Sequence, residues 1–242
     1  MASETYMRVL ARFVVTGNVG KVWEKLTEIE ELNETKQIPW PELINQPSKE
    51  SLAVIASRYG QVGILKMLQM KGAPSLYYEI GNLDGKRPLH EAVENGQSEC
   101  VEFLVETIGV CVNSLKRADW TPLMLACSKA NPDLVRYLIH HDADVNFRNK
   151  DGWNAFHLAC REGNLEIVKM LYKAGNDSSL IVSNNGRSPL HTAALHGHST
   201  IVRFLLEECG YNPKACDASG NTPQMDANLA GHPDIAQLLE SH

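Results

Sequence analysis

The chain is short of several things that would have pointed to a chemistry. Its 242 residues hold no apolar run of about eighteen, so no membrane-spanning helix is expected. The net charge of -6 is modest, and no block of lysines and arginines is long enough to bind nucleic acid through its phosphates. The N-terminus lacks the charged-then-apolar layout of a signal peptide, so no secretory leader is expected. G-x-S-x-G, Walker-type, H-E-x-x-H and paired-carboxylate signatures are absent. Catalysis is therefore not expected, nor is a bound cofactor or metal. The six cysteines show no C-x-x-C spacing, and no His stands at zinc-finger distance from them. Free thiols in a reducing compartment, cytoplasmic and also nuclear, are the expectation.

What the chain does have is a period. Arg87-Pro88-Leu89-His90-Glu91-Ala92 returns as Thr121-Pro122-Leu123-Met124-Leu125-Ala126, Asn154-Ala155-Phe156-His157-Leu158-Ala159, Ser188-Pro189-Leu190-His191-Thr192-Ala193 and Thr222-Pro223-Gln224-Met225-Asp226-Ala227. The intervals at the second position are 34, 33, 34 and 34 residues. Thr or Ser supplies a helix cap and Pro fits the first helical position, where no donor is needed. The small Ala lets two helices approach. Gly96, Gly163, Gly197 and Gly231 close the first helix eight residues after the Pro slot. A second helix follows, with apolar pairs Val101/Leu104, Val135/Leu138, Val168/Leu171 and Val202/Leu205 forming one buried stripe. Asp84-Gly85, Asp151-Gly152 and Asn185-Gly186 mark tight turns between units.

A period near 33 with a Thr-Pro-Leu-His-x-Ala core resembles the ankyrin repeat. The expected fold is all-α: an ankyrin solenoid of about seven stacked helix-turn-helix units in a single domain, residues 1–242. The first unit, 1–48, joins an N-terminal capping repeat to an insertion. The others span 49–83, 84–117, 118–150, 151–184, 185–218 and 219–242. The upstream repeats are read from Val9 to Gly17 and Leu52 to Gly60, which share the eight-residue spacing. Between them, Asn33 to Pro47 carries Pro39, Pro41 and Pro47 and is expected to be an extended loop.

His90, His157 and His191 share one slot, where an imidazole can bond the neighbouring turn. Met124 and Met225 replace it elsewhere, so a scaffold role is expected. Cys127 and Cys160 stand where Ala194 stands in another unit and are expected in the core.

Function is sought in what varies over the repeat. The residues before the Thr slot are Lys86, Trp120, Trp153, Arg187 and Asn221, expected as a ladder of turn tips along one edge of the concave face. Trp and Arg are the side chains most enriched at binding hot spots. Leu125, Leu158 and Arg161 on the first helices are added as partner-binding candidates. Lys116, Arg117, Arg148 and Lys150 bring positive charge to the turns. The alternative for each Trp is to fold back over the neighbouring unit as part of the core.

The runs around Lys86–Ala92, Ala118–Met124, Asn149–Asn154 and Pro189–Ala194 resemble the ankyrin repeat domain-containing protein sixteen family; Asp119-Trp120 and Gly152-Trp153-Asn154 are the more specific of them. The resemblance implies a protein partner, alanyl-tRNA synthetase, bound at its catalytic domain. It also implies a role in preventing serine misincorporation at alanine codons, with lysines accepting misactivated serine. The matching lysines are Lys150 and Lys116. Arg117 stands where the family has the second lysine of a pair, and the third position, near Leu180, has none. Arg148 beside Lys150 is expected to disfavour the charged form of that amine. Two other readings stay open. One is a peptide or methyl-lysine reader using Trp120 and Trp153, with Glu91 as the acid. The other is a ubiquitin-ligase substrate receptor, which needs a helical box after the last repeat.

Overall fold

The computed structural model describes residues 2–33, 38–40, 43–45, 49–175 and 182–242. Two compact units divide it, Met1–Arg117 and Ala118–His242. Among the described residues the first holds α1 (Ala2–Val15), α2 (Val19–Leu32), α3 (Leu52–Arg58), α4 (Val62–Met70), α5 (Pro88–Glu94) and α6 (Ser98–Glu102). The second holds α7 (Pro122–Ser128), α8 (Pro132–His140), α9 (Ala155–Glu162), α10 (Leu165–Lys173), α11 (Pro189–Leu195), α12 (Ser199–Glu207), α13 (Pro223–Leu229) and α14 (Pro233–Glu240). Odd-numbered helices pack on odd and even on even from pair to pair: α1 on α3 and α3 on α5, then α7 on α9, α9 on α11 and α11 on α13. The second helices follow the same order, α8 on α10, α10 on α12 and α12 on α14.

The repeat residues act as their chemistry dictates. Thr121, Asn154, Ser188 and Thr222 each accept the backbone N–H three residues on, with Pro at the first helical position in three of those four helices. The shared His joins one pair to the next. Its Nε2 donates to a carbonyl one turn along: His90 to Ser114 (3.1 Å), His157 to Arg187 (3.3 Å) and His191 to Asn221 (3.0 Å). A carbonyl only accepts, so the proton sits on Nε2. Nδ1 is then free to accept the backbone N–H of Arg87, Asn154 or Ser188. All three imidazoles are buried and serve the scaffold.

In the repeat that starts at Thr121, Ala130 occupies the slot where the others have Gly, and it does so at φ 51°. A left-handed alanine is strained by about 1 kcal/mol, partly offset because glycine costs more entropy to order. Ala130→Gly should therefore raise stability by about 0.5 kcal/mol, read as a higher urea midpoint at unchanged slope.

In the first and last of the intervals of 34 residues, the residue missing from the interval of 33 is accommodated at the end of the second helix. After α6 the chain continues as a π-helical turn, Phe103–Ile108, closed by Gly109 at φ 75°. At the end of α12, Cys209 N–H reaches back five residues to the Phe204 carbonyl at 3.2 Å. A wider turn takes up one extra residue without shifting the buried stripe.

The insertion, expected as an extended loop, includes a short strand where it is described, and part of it is buried. Ile38, Trp40 and Leu43 are buried, and a short ladder pairs Ile44–Asn45 (β1) with Glu50–Ser51 (β2). Trp40 packs on Tyr77 at 5.2 Å, and the Tyr77 hydroxyl donates to the Leu43 carbonyl. Tyr77 and Tyr78, both buried, give these apolar residues a surface to cover. Pro41 and Pro47, on which the extended reading partly rested, lie outside the described residues.

Candidate protein-binding site

In the second unit the turns between helix pairs are tied tip to tip. Lys150 N–H donates to the Ala118 carbonyl (3.2 Å), Asn184 to Asp151 (2.9 Å) and Ala218 to Asn185 (2.8 Å). Two of the turns are each organised by one side chain. Asn149, 6 % exposed, accepts through Oδ1 from the Asp151 and Trp153 amides at 3.0 and 2.9 Å, and Asp217 does the same for Ser219 and Asn221. Those backbone bonds, from Asn221 foremost, hold the Asp217 carboxyl below its ordinary pKa.

Between these tips lies a cleft of about 310 Å³ lined by Trp120, Asn149, Asp151, Trp153, Leu158, Arg161 and Asn185. Trp120 and Trp153 are both half-buried. The Trp153 ring lies 5.6 Å from that of His157, at 33° to it. Arg161 places its guanidinium 5.7 Å from the centre of the same indole and is pinned by Glu162 at 2.6 Å. The cleft thus joins aromatic faces, a pre-oriented guanidinium and amide groups, the composition of a hot spot.

The other candidate residues are placed differently. Leu125 is 3 % exposed, and Leu158, which backs the cleft, has no accessible surface of its own, so both pack within the fold. They fill the slot occupied by Glu91, Thr192 and Asp226 in the other repeats, which is buried in all five. Where the slot is acidic, an arginine answers it. Arg58 donates to Glu91 at 2.8 and 3.0 Å, and Arg187 reaches Asp226 at 2.5 Å and Asp217 at 3.4 Å. Arg187 therefore spends most of its guanidinium inside the fold, and Glu91 is held by Arg58 rather than offered to a ligand. Neither pairing was read from the sequence. The repeat alignment alone places Glu91 and Asp226 in a slot that holds Leu elsewhere, which was the available signal.

In the first unit Lys86 is paired with Glu94 at 2.6 Å. Burial works against its charge, but the Glu94 hydrogen bond and the Glu91 charge prevail, so its pKa is raised. Lys116 is half-buried, and burial, with the charge of Lys86, lowers its pKa. Lys150 is exposed. Arg148, expected to act on Lys150, directs its guanidinium at the Gly152 and Val182 carbonyls. The third acceptor position, near Leu180, lies outside the described residues. No group of three or more His, Cys, Asp or Glu side chains able to hold a metal occurs among the described residues, and no described helix is long and apolar enough to cross a membrane.

Burial lowers the His157 pKa to about 4, the Arg187 carbonyl partly opposing it. The imidazole is then neutral when folded, while the unfolded chain takes up a proton near pH 6.5. Its contribution is complete above that pH and is lost as pH falls toward 4. Stability should drop on the order of 2 kcal/mol from this group between pH 7 and 4.5, and urea titrations of wild type and His157→Gln should differ in slope against pH by about one proton.

Pairs of short helices, stacked with tight turns projecting between them, define a helical-repeat binding scaffold. The sequence model "Ankyrin repeats (3 copies)" matches residues 38–116, 108–181 and 174–242, and the chain belongs to that family. It is 47% identical over 68 residues to protein phosphatase 1 regulatory subunit 27 of Homo sapiens, a match covering 28% of this chain and 44% of that protein. It is 34% identical over 105 residues to alpha-latrocrustotoxin-Lt1a of Latrodectus tredecimguttatus, covering 43% and 7%. It is 43% identical over 72 residues to the BTB/POZ domain and ankyrin repeat-containing protein NPR5 of Oryza sativa subsp. japonica, covering 29% and 14%. The chain spans less than half the length of each of these relatives.

Proposed function

We propose that this chain is a protein-recognition scaffold that grips its partner at the turn cleft of the second unit, and that the partner is alanyl-tRNA synthetase. The observation that carries the first statement is the convergence of two half-buried indoles and a pinned guanidinium on one cleft. Support for the second is the likeness of Asp119-Trp120 and Gly152-Trp153-Asn154 to the family in which that partner is known. In this reading Arg187 borders the contact, Lys86 is a further partner-binding residue on the first unit, and Lys116 and Lys150 are the serine acceptors. An amine must be neutral to attack an aminoacyl-adenylate, and burial disfavours the charge of Lys116. Serine moves once onto the protein, with AMP leaving, so no turnover is implied.

Mixing the chain with the synthetase, ATP and serine, then mapping added serine by mass spectrometry, tests both statements. A complex carrying seryl-Lys116 or seryl-Lys150 supports them. Absence of a complex rejects the partner, and a complex without modification leaves a scaffold without acceptor chemistry. Trp120→Ala with Trp153→Ala should weaken partner binding by about 2 kcal/mol or more while the helical circular dichroism persists. The methyl-lysine reading is disfavoured by Arg161, whose own cation already covers one Trp153 face.

A further inference from the structure

On the second helices of the same unit, sharing no residue with the turn cleft, α10 and α12 enclose a recess of about 340 Å³ lined by Lys169, Tyr172, Lys173, Phe204 and Glu208. Its floor is aromatic. Tyr172 meets Phe204 edge to face at 5.7 Å, and the Tyr172 hydroxyl donates to the Glu208 carbonyl at 3.1 Å, which fixes the ring. Lys169 holds its ammonium 5.6 Å from the centre of the Phe204 ring. The three exposed cations here, Lys169, Lys173 and Arg203, have no carboxylate partner among the described residues. Arg136, at the slot of Lys169 and Arg203 in the preceding repeat, shows the contrast: it is neutralised by Asp133 and Glu166, both at 2.8 Å.

An apolar recess bordered by cations without a carboxylate partner among the described residues, in a chain of net charge -6, calls for a ligand that is apolar at its centre and acidic at its edge. We propose that this recess is a second docking surface, which takes an acidic peptide segment of a protein partner. One aromatic or branched side chain of the segment packs on the surface of the Tyr172–Phe204 pair, and its carboxylates face Lys169 and Lys173. Lys169, held over the Phe204 ring, needs little reorganisation to receive one of those carboxylates. A lipid surface is the weaker fit: Glu207 and Glu208 sit exposed at one end, and an anionic bilayer would meet them as well as the lysines, whereas a peptide can set its acidic end away from them.

The probe is a phage-displayed random 16-residue peptide library panned on the intact chain, followed by fluorescence anisotropy with the synthetic peptide selected. Enrichment of sequences with two or more acidic residues beside an aromatic or branched residue is expected. Binding should fall at least tenfold in Lys169→Glu/Lys173→Glu, weaken with added salt, strengthen in Glu207→Lys/Glu208→Lys, and stay within twofold of wild type in Trp120→Ala/Trp153→Ala. All the charge changes lie at exposed positions, so the fold should persist, with circular dichroism as the control. No acidic enrichment, or binding indifferent to the lysine reversal, overturns the proposal. Binding to phosphatidylserine vesicles that the same lysine reversal abolishes, with no peptide selected, overturns it in favour of a membrane. A selected peptide lost in the Trp variant assigns it to the turn cleft instead, and also overturns it.

Discussion

Arg187→Ala should destabilise the chain by about 3 kcal/mol, the scale for removing one partner of a buried ion pair. The Asp226 side chain is 2 % exposed, and its Oδ1 lies 2.5 Å from the Arg187 guanidinium. Its Oδ2 has no other hydrogen-bond partner among the described residues. Without Arg187 the carboxylate stays buried and loses its counter-charge, and proximity to water at the edge relieves only part of the cost. A second change separates charge from packing. Asp226→Leu restores the residue type found in this slot at Leu125 and Leu158, so Arg187→Ala/Asp226→Leu should recover most of the loss. A double-mutant cycle in urea gives the coupling, which sinks this account if it is below about 1 kcal/mol. Arg117→Ala is the control. Its pair with Asp84 is 71 % and 60 % exposed, and such pairs contribute about 0.5 kcal/mol.

Gly152→Ala should cost about 3 kcal/mol through strain and crowding together. Gly152 has φ +78°, and an added Cβ would lie 2.5 Å from Asn184 Oδ1 and 2.7 Å from Asn184 N. Asn184 has little room to retreat, since its amide donates to Asp151 and its Nδ2 to the Lys150 carbonyl at 2.6 Å. The substitution therefore loosens the tip-to-tip bond beside Trp153. Gly220, at φ +82° with nothing within 4 Å of its added Cβ, isolates the conformational part, and Gly220→Ala should cost only about 1 kcal/mol. Equal losses at the two sites, measured by thermal or urea unfolding, would show that crowding at Asn184 contributes nothing.

The turn tips illustrate how far local pattern reaches. Asp151-Gly152 predicts a tight turn, and Trp153 beside it predicts a projecting aromatic, because both follow from backbone preference over four residues. What the Trp touches does not follow, since Arg161 meets it from a helix eight residues on and Asn185 lines the same cleft from the next turn. Leu125 and Leu158 show the same limit from the other side. On a helix drawn alone their slot faces outward, and only the neighbouring pair of helices covers it.

The sequence by itself determined the helix pairs, their caps, the family and the structural part played by the shared His, because these depend on short-range geometry repeated at a constant interval. Tertiary structure decided that the insertion folds back through Ile38, Trp40 and Leu43, and that Arg58 and Arg187 turn inward to buried carboxylates. It also decided that burial disfavours the charge of Lys116. Each of these depends on which groups stacking brings within a few ångströms of one another, and on how much water it excludes from between them. A periodic pattern in one dimension holds neither quantity.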